Sequence, residues 1–325
     1  MKILVTGGMG FIGSCFIMYM LDKYPSYNVI NLDALTYAGN LDNLSDIENN
    51  SNYKFVHGDI CDKKLVGELI SQVDACLNFA AETHVDRSIT GPDIFINTNV
   101  NGTQNLLYLA KELKLERFVQ VSTDEVYGSL GATGYFTENT PLSPNSPYSA
   151  SKAAADLLVR AYFKTYNSPV LITRCSNNYG PYQYPEKLIP LFITNVLEDK
   201  PVPVYGDGLN VRDWLYVYDH CSAIDTVLHK GKEGEIYNIG GNNERTNLEI
   251  TEIILNQLGK PSSLIKYVED RLGHDRRYAI DSSKIQQQLG WEPKMSFEKG
   301  ITQTINWYIT NKDWINSVKA KKALI

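Results

Sequence analysis

The start of the chain narrows its possible folds more than any other stretch. The strand-like Lys2-Ile3-Leu4-Val5 runs into Thr6-Gly7-Gly8-Met9-Gly10-Phe11-Ile12-Gly13, and a helical pattern follows over residues 11–23. Glycines at this GxxGxxG spacing have separate jobs. Gly7 allows the tight turn, Gly10 lets the backbone approach a pyrophosphate, and Gly13 lets the helix pack closely on the strand. The helix then opens with unpaired N–H groups and a partial positive charge facing the phosphates. Three glycines alone mark only a turn. Here they follow a strand, open a helix, and precede Asp33 at the end of the second strand candidate. An acid at that place accepts from ribose hydroxyls and repels a 2′-phosphate, so a dinucleotide is expected, and NAD rather than NADP.

The pattern after this loop repeats its alternation. Strand candidates cover 2–5, 29–32, 54–57, 75–78, 118–122 and 170–173, with helical patterns between them such as 11–23, 62–72 and 98–114. Such alternation predicts an α/β fold of Rossmann type, doubly wound, with a mainly parallel sheet. Ligands of such sheets bind beyond the carboxyl ends of the strands. After residue 176 the chain becomes irregular and richer in Pro and Tyr, and Tyr179-Gly180-Pro181-Tyr182-Gln183-Tyr184-Pro185 reads as no regular element. Helices follow over 188–197, 219–229, 247–258, 282–289 and 297–309, and the lysine-bearing tail 316–325 reads as a solvated helix end. The expected organisation is a dinucleotide-binding unit over 1–176, with a return segment near 210–240, and a smaller substrate lobe over 177–325. A chain of 325 residues suits one large α/β unit or two closely associated lobes.

Composition removes several classes. Hydrophobic residues at 43% and charged residues at 21% describe an ordinary globular chain. A formal net charge of −6 argues against a nucleic-acid binder, which needs a basic stripe, though local arginines can still hold a diphosphate. Cys15, Cys61, Cys76, Cys175 and Cys221 are scattered and never spaced as CxxC. No metal site and no disulfide framework are expected, and a reducing compartment fits. Met1 leads directly into a strand, leaving no room for a signal peptide, and no apolar run approaches the roughly 20 residues of a membrane span. A cytoplasmic protein with no membrane association is expected.

Chemistry gathers at the strand ends. His57-Gly58-Asp59-Ile60 is a candidate for the adenine edge, and Asn78-Phe79-Ala80-Ala81 offers small residues against a nicotinamide ribose. Tyr148 and Lys152 lie at i and i+4, on one helix face. A nearby ammonium lowers a phenol pKa and lets tyrosinate take a proton from a sugar hydroxyl. The same spacing recurs at Tyr19/Lys23 and Tyr308/Lys312, but only Tyr148 follows the fifth strand candidate, beside Ser122-Thr123. Thr123-Asp124-Glu125-Val126-Tyr127-Gly128 then puts two carboxyls at that strand end. Two carboxyls on one substrate divide into an acid and a base when their environments separate their pKa values.

These residues resemble the extended short-chain dehydrogenase/reductase family, in its nucleotide-sugar 4,6-dehydratase branch. The resemblance runs over essentially the whole chain, through residues 6–13, 33–40, 80–88, 122–128, 148–152, 174–181, 212–214 and 273–278. The glycine loop and the Tyr/Lys pair identify the superfamily; the Thr-Asp-Glu trio is specific to the branch. The resemblance implies NAD as cofactor and dTDP-glucose as substrate. It implies Tyr148 as the base for oxidation at C4, assisted by Thr123 and Lys152. Glu125 would remove the C5 proton, Asp124 would protonate the departing C6 hydroxyl, and hydride would return to C6. Cofactor contacts carried over are Gly7, Gly10, Phe11, Ile12, Gly13, Asp33, Ala34, Leu35 and Thr36, then Asp59, Ile60, Ala80, Ala81, Thr98, Tyr148, Lys152 and Asn178. Substrate contacts carried over are Thr83, Thr123, Asn177, Lys187, Leu188, Pro203, Tyr205, Arg212, Asn247, Arg271 and His274. Leu272 stands where the family usually has Pro. A homodimer is implied, through helices that include residues 98–114 and 150–166. A nucleotide-sugar 4-epimerase would share Tyr148, Lys152 and the glycine loop without needing the acid pair. A non-enzymatic dinucleotide sensor would need neither Tyr148 nor the acids.

Overall fold

The structure, a computed structural model, describes residues 1–322. Seven strands form one wholly parallel sheet: β1 (Lys2–Thr6), β2 (Asn28–Asp33), β3 (Tyr53–His57), β4 (Ala75–Asn78), β5 (Arg117–Thr123), β6 (Val170–Cys175) and, after three strands of other sheets, β10 (Ile236–Ile239). Their order is β10-β6-β5-β4-β1-β2-β3. The order reverses between β1 and β4, as in a Rossmann-type doubly wound sheet, and a crevice opens at such a reversal.

Strand periodicity divides the core. Ile3 and Val5 point to one face, where they pack with Phe16, Ile17 and Met20 of α1 (Phe11–Lys23). Leu4 points to the other, with Val66 and Leu69 of α2 (Lys63–Ile70). Alternate residues of a strand face opposite sides, so a buried parallel strand must be apolar on both. The second face is completed by α3 (Val85–Thr90), α4 (Asp93–Phe95), α5 (Thr103–Glu112) and α6 (Pro147–Tyr166). The single helix expected over 98–114 is instead α4, a π-helical stretch (Ile96–Gly102) and α5. Asn97, Asn99, Asn101 and Gly102 are poor helix formers, and one extra residue per turn is absorbed among them.

The remaining elements lie over the strand ends or on the first face. β7 (Asn177–Tyr179), β9 (Val211–Tyr216) and β11 (Glu244–Thr246) make a three-stranded sheet, and β8 (Val202–Tyr205) pairs with β12 (Ile265–Val268). Tyr179, expected to lie outside any regular element, therefore ends β7. Helix α7 (Leu188–Leu197) and α9 (Asn247–Gln257) pack on these strands. One helix lies in the expected return segment, and one expected in the covering lobe belongs instead with the main sheet. Cys221, Ile224 and Val227 of α8 (Val217–Lys230) join the core around α1, as does Ile285 of α10 (Ser283–Leu289). The tail is the helix end expected, with Val318 the one buried residue among 316–320. After α11 (Phe297–Thr310), α12 (Lys312–Lys322) buries Trp314, Ile315 and Val318 in the second core, and Lys319 pairs with Glu198. Residues 323–325 of that expectation lie outside the described residues. No helix among the described residues is long and apolar enough to cross a membrane.

Candidate active site

The carboxyl ends of β1, β4, β5 and β6 face α7, β8, β9 and the 271–278 loop across a cavity of about 530 Å³. On the sheet side stand Gly10, Phe11, Ile12 and Gly13, then Ala81, Thr83, Thr123, Asp124 and Glu125, with Tyr148 and Lys152 from α6. Asn177, Asn178, Lys187, Leu188, Pro203, Tyr205, Arg212, Asn247, Arg271 and His274 complete it. All expected catalytic and substrate residues thus meet in one space. Gly7, Asp33, Ala34, Leu35, Thr36, Asp59, Ile60, Ala80 and Thr98 lie outside its lining, toward β2, β3 and the π-helical stretch.

The glycine loop has the shape a pyrophosphate needs. Gly7 turns with φ of +71°, and a Cβ there would sit 2.6 Å from the Ala80 nitrogen. A Cβ on Gly13 would come within 2.4 Å of the Gly7 carbonyl oxygen. Gly10 caps α1 with no side chain on the first-turn N–H groups, which leaves them to an anion. Asp33 is buried at the end of β2. Its Oδ2 accepts from Met9 N at 2.8 Å and its Oδ1 from Leu35 N at 2.7 Å, so it also ties the glycine loop to the next loop.

The acid pair occupies a short turn. Asp124–Tyr127 is a single 3-10 turn capped by Thr123, whose hydroxyl accepts from Glu125 N at 3.3 Å. Asp124 is 1% exposed, and its Oδ2 has no hydrogen-bond partner among the described residues. Burial, with Glu125 beside it, pushes the Asp124 carboxyl well above the usual range. Burial raises Glu125 as well, but Arg271, Lys187 and Arg212 oppose it. The two carboxyls therefore differ in the sense an acid and a base require.

Tyr148 sits in the first turn of α6, 7% exposed, edge-on to Phe95 at 6.4 Å. Burial and the charges of Glu125 and Asp124 raise its phenol well above the ordinary value, against a Thr123 hydrogen bond. The expected lowering by Lys152 is not what dominates here. Lys152 Nζ donates to Val121 O at 2.8 Å, and burial lowers its own pKa against the pull of Asp156.

The substrate side is cationic. Arg212 is held by Val211 O and Asp275 O, 2.7 and 2.9 Å away, and lies 4.3 Å over the Tyr278 ring. Lys187 Nζ donates to Thr83 O at 2.9 Å, and Arg271 lies 3.8 Å from Asp86. Asn177 Oδ1, Asn247 Oδ1 and Arg271 Nε are buried without partners among the described residues. His274 Nδ1 meets Asp270 Oδ1 at 2.6 Å, with Tyr205 edge-on to its ring. Asn178 lines the cavity but commits its carbonyl to His220 Nδ1 at 2.9 Å and its amide to Ser176 O.

Sequence reasoning missed other residues here. Asn99, on the π-helical stretch, donates to Glu82 O and Ser151 Oγ at 3.0 and 2.8 Å and accepts from Glu82 N. It ties the loop after β4 to α6; its signal was the asparagine run in an otherwise helical stretch. At the mouth, Glu186 accepts from Tyr37 at 3.1 Å and lies 3.6 Å from His84 Nε2.

A family profile described as GDP-mannose 4,6 dehydratase matches residues 4–304. A dTDP-glucose 4,6-dehydratase of Xanthomonas campestris is 57% identical over 97% of this chain and 95% of its own length. The chain belongs to the dTDP-glucose 4,6-dehydratase family. Solved dehydratases have the same fold. One from Bacillus anthracis in complex with NAD is 58% identical, covers 98% of this chain and 99% of its own, and superposes with a TM-score of 0.92. One from Streptomyces venezuelae, with NAD and a dTDP ligand, is 53% identical over 97% of this chain and 98% of its own, with a TM-score of 0.95. The Thr123-Asp124-Glu125 turn, facing Tyr148, is thus part of a dehydratase scaffold along its whole length.

Proposed function

We propose that the chain dehydrates dTDP-glucose to dTDP-4-keto-6-deoxyglucose. The observation that carries this reading is the pair of adjacent carboxyls, unequally perturbed, in one cavity with Tyr148. Tyr148 Oη takes the C4 hydroxyl proton as a phenolate, with Thr123 and Lys152 orienting it; the positive charge of bound NAD would oppose the burial that raises this phenol. When bound, NAD supplies reversible two-electron oxidation and reduction, used at C4 and then at C6. The 4-keto group acidifies C5, and Glu125 takes that proton, the stabler of the two carboxylates beside three cations. Asp124, held protonated by burial, gives a proton to the departing C6 oxygen. Arg212, Lys187 and Arg271 offset the diphosphate charge, and Asn177 and Asn247 turn unpaired amide oxygens to the sugar nucleotide. An epimerase needs no such acid pair. Incubation with dTDP-glucose, followed by mass spectrometry, tests the reading: the product should be lighter by one water, with no net cofactor reduction. In deuterated water it should carry deuterium at C5. An intact sugar, or a product unlabelled at C5, overturns it.

The cofactor is NAD, with Gly7, Gly10 and Gly13 at the pyrophosphate and Asp33 at the adenosine ribose. Ala34, Leu35, Thr36, Asp59, Ile60 and Thr98 would continue that half beyond the cavity, and Ala80, Ala81 and Asn178 the nicotinamide half. Residues 1–176 with the returning α8 and β10 make the dinucleotide unit, and most of 177–325 the substrate lobe. A homodimer is supported by exposed apolar side chains on the two neighbouring helices α5 and α6, Leu157 at 55%, Tyr166 at 54% and Tyr108 at 37%. A cytoplasmic location fits free cysteines throughout.

A further inference from the structure

Behind the acid pair lies a buried polar chain that the reaction as described does not use. Strand register creates it. Ser122 of β5 pairs with Arg174 of β6, and Arg174 pairs with Asn238 of β10, placing three polar residues in one row across three strands. Arg174 Nε donates to Asp156 Oδ2 at 2.8 Å, on α6 one turn after Lys152. Its Nη1 donates to the Tyr127 hydroxyl at 2.9 Å. That hydroxyl donates in turn to Asn238 Oδ1 at 2.8 Å. The directions are fixed, because Asn238 Nδ2 already donates to Phe136 O at 3.1 Å and must present its carbonyl to Tyr127. Tyr127 is 2% exposed, Arg174 3%, Asp156 1% and Asn238 0%. Burial raises the Tyr127 phenol to about 12, so it stays neutral and keeps this arrangement.

The chain joins parts with different chemical duties. Asp156 stands on the helix of Tyr148 and Lys152, whereas Tyr127 closes the turn that carries Asp124 and Glu125. The helix is tied to β6 directly, by the Asp156–Arg174 pair. The turn is tied to both through the Tyr127 hydroxyl. It is also anchored by Thr123, whose hydroxyl accepts from Glu125 N at 3.3 Å and donates to Asp124 Oδ1 at 3.4 Å, and by a bond from Ser143 N to Val126 O. We propose that Tyr127 is a positioning residue, clamped between Arg174 and Asn238, that sets the acid pair against Tyr148 and is needed for loss of water rather than for substrate binding or oxidation at C4. This rests on the dehydratase reading above.

The test uses holoenzyme carrying Tyr127→Phe, which keeps the ring stacked on Phe136 and deletes only the hydroxyl. Turnover of dTDP-glucose should fall about 10–100-fold, the cost of misplacing a catalytic group by about an ångström. KM should stay within about twofold, and reduced cofactor should build up in a single turnover, read at about 340 nm. Incorporation of solvent deuterium at C5 should slow in step with turnover. Arg174→Lys retains a partner for Asp156 but cannot also reach Tyr127, so it should give the same split. The double variant should be no worse than the worse single. Should Tyr127→Phe fail to fold, Arg174→Lys decides by the same readings. Near-normal turnover of either folded variant, or a loss of turnover without reduced cofactor, overturns the assignment and leaves Tyr127 a packing residue. Wild-type enzyme that leaves dTDP-glucose intact overturns the reaction reading, and this assignment with it.

Discussion

Asp124 and Glu125 are chain neighbours in one turn, yet only Glu125 has three cations acting to keep it ionised. Glu125→Gln should therefore spare the oxidation at C4 and block the elimination of water. Turnover should drop by about 10²–10⁴, with absorbance at about 340 nm persisting on the enzyme. Tyr148→Phe should give little of that absorbance, and Asp124→Asn should form it and then stall at loss of the C6 oxygen. Stopped-flow spectra of the three variants check the assignment; equal spectra would refute it. Asp33 carries the second expectation at this scale. A buried carboxylate held by Met9 N and Leu35 N cannot swing away from a 2′-phosphate, so calorimetric titration should favour NAD over NADP by about tenfold or more. Equal affinities would remove Asp33 from the ribose. These residues were legible because each follows a strand end at a fixed interval. Asn99 and Tyr127 were not, because their partners are set by a π-helical register and by strands far apart in the chain.

Helix α1, which opens at the phosphate loop, is fastened at its other end to α8. Lys23 Nζ meets Asp225 at 2.6 Å, His229 Nδ1 bonds the Asp225 carbonyl at 2.9 Å and lies as close to the same residue's carboxylate, and Tyr27 touches His229 Nε2 at 2.9 Å. The Asp225 carboxylate and carbonyl beside it raise His229 above its ordinary value, against burial. Burial would raise Asp225, but His229 and Lys23 together overcome it and bring it down. The histidine's contribution is thus complete below its unfolded value of about 6.5 and lost as pH rises through the higher folded one. The aspartate's is complete above about 3.9 and lost in acid. His229→Gln should lower the melting temperature by about 1–3 °C near pH 6 and by less near pH 9. A pH-independent difference would contradict the clamp. Elements with strong periodicity, such as β1 to β6, were visible in the sequence to within a few residues. The strands β7, β8, β11 and β12 were not, since they lie in the irregular, Pro- and Tyr-rich second half, outside the strand–helix alternation that marked the four-residue β4. The lysine-bearing tail read as a solvated helix end, and only Val318, one apolar residue among polar neighbours, gave no sign of its burial.

Across the whole molecule, the neighbouring helices α5 and α6 leave Tyr108, Leu157 and Tyr166 exposed. Leu157→Glu should convert a wild-type dimer to a monomer in analytical ultracentrifugation; a wild type sedimenting as a monomer would refute the interface. The layer architecture was legible from strand–helix alternation, but the seventh strand was not, being remote in sequence from its neighbour and outside that alternation. That remoteness matters while the protein is being made. β6 is buried at all six positions in the finished sheet, and one of its edges stays bare until residues 236–239 leave the ribosome. Until then the nascent chain carries an apolar strand with open backbone groups, a template for pairing with other chains. Messages or proteolytic fragments that stop short of Ile236 should therefore yield aggregated protein rather than a smaller soluble dinucleotide binder, however complete the phosphate loop at their start.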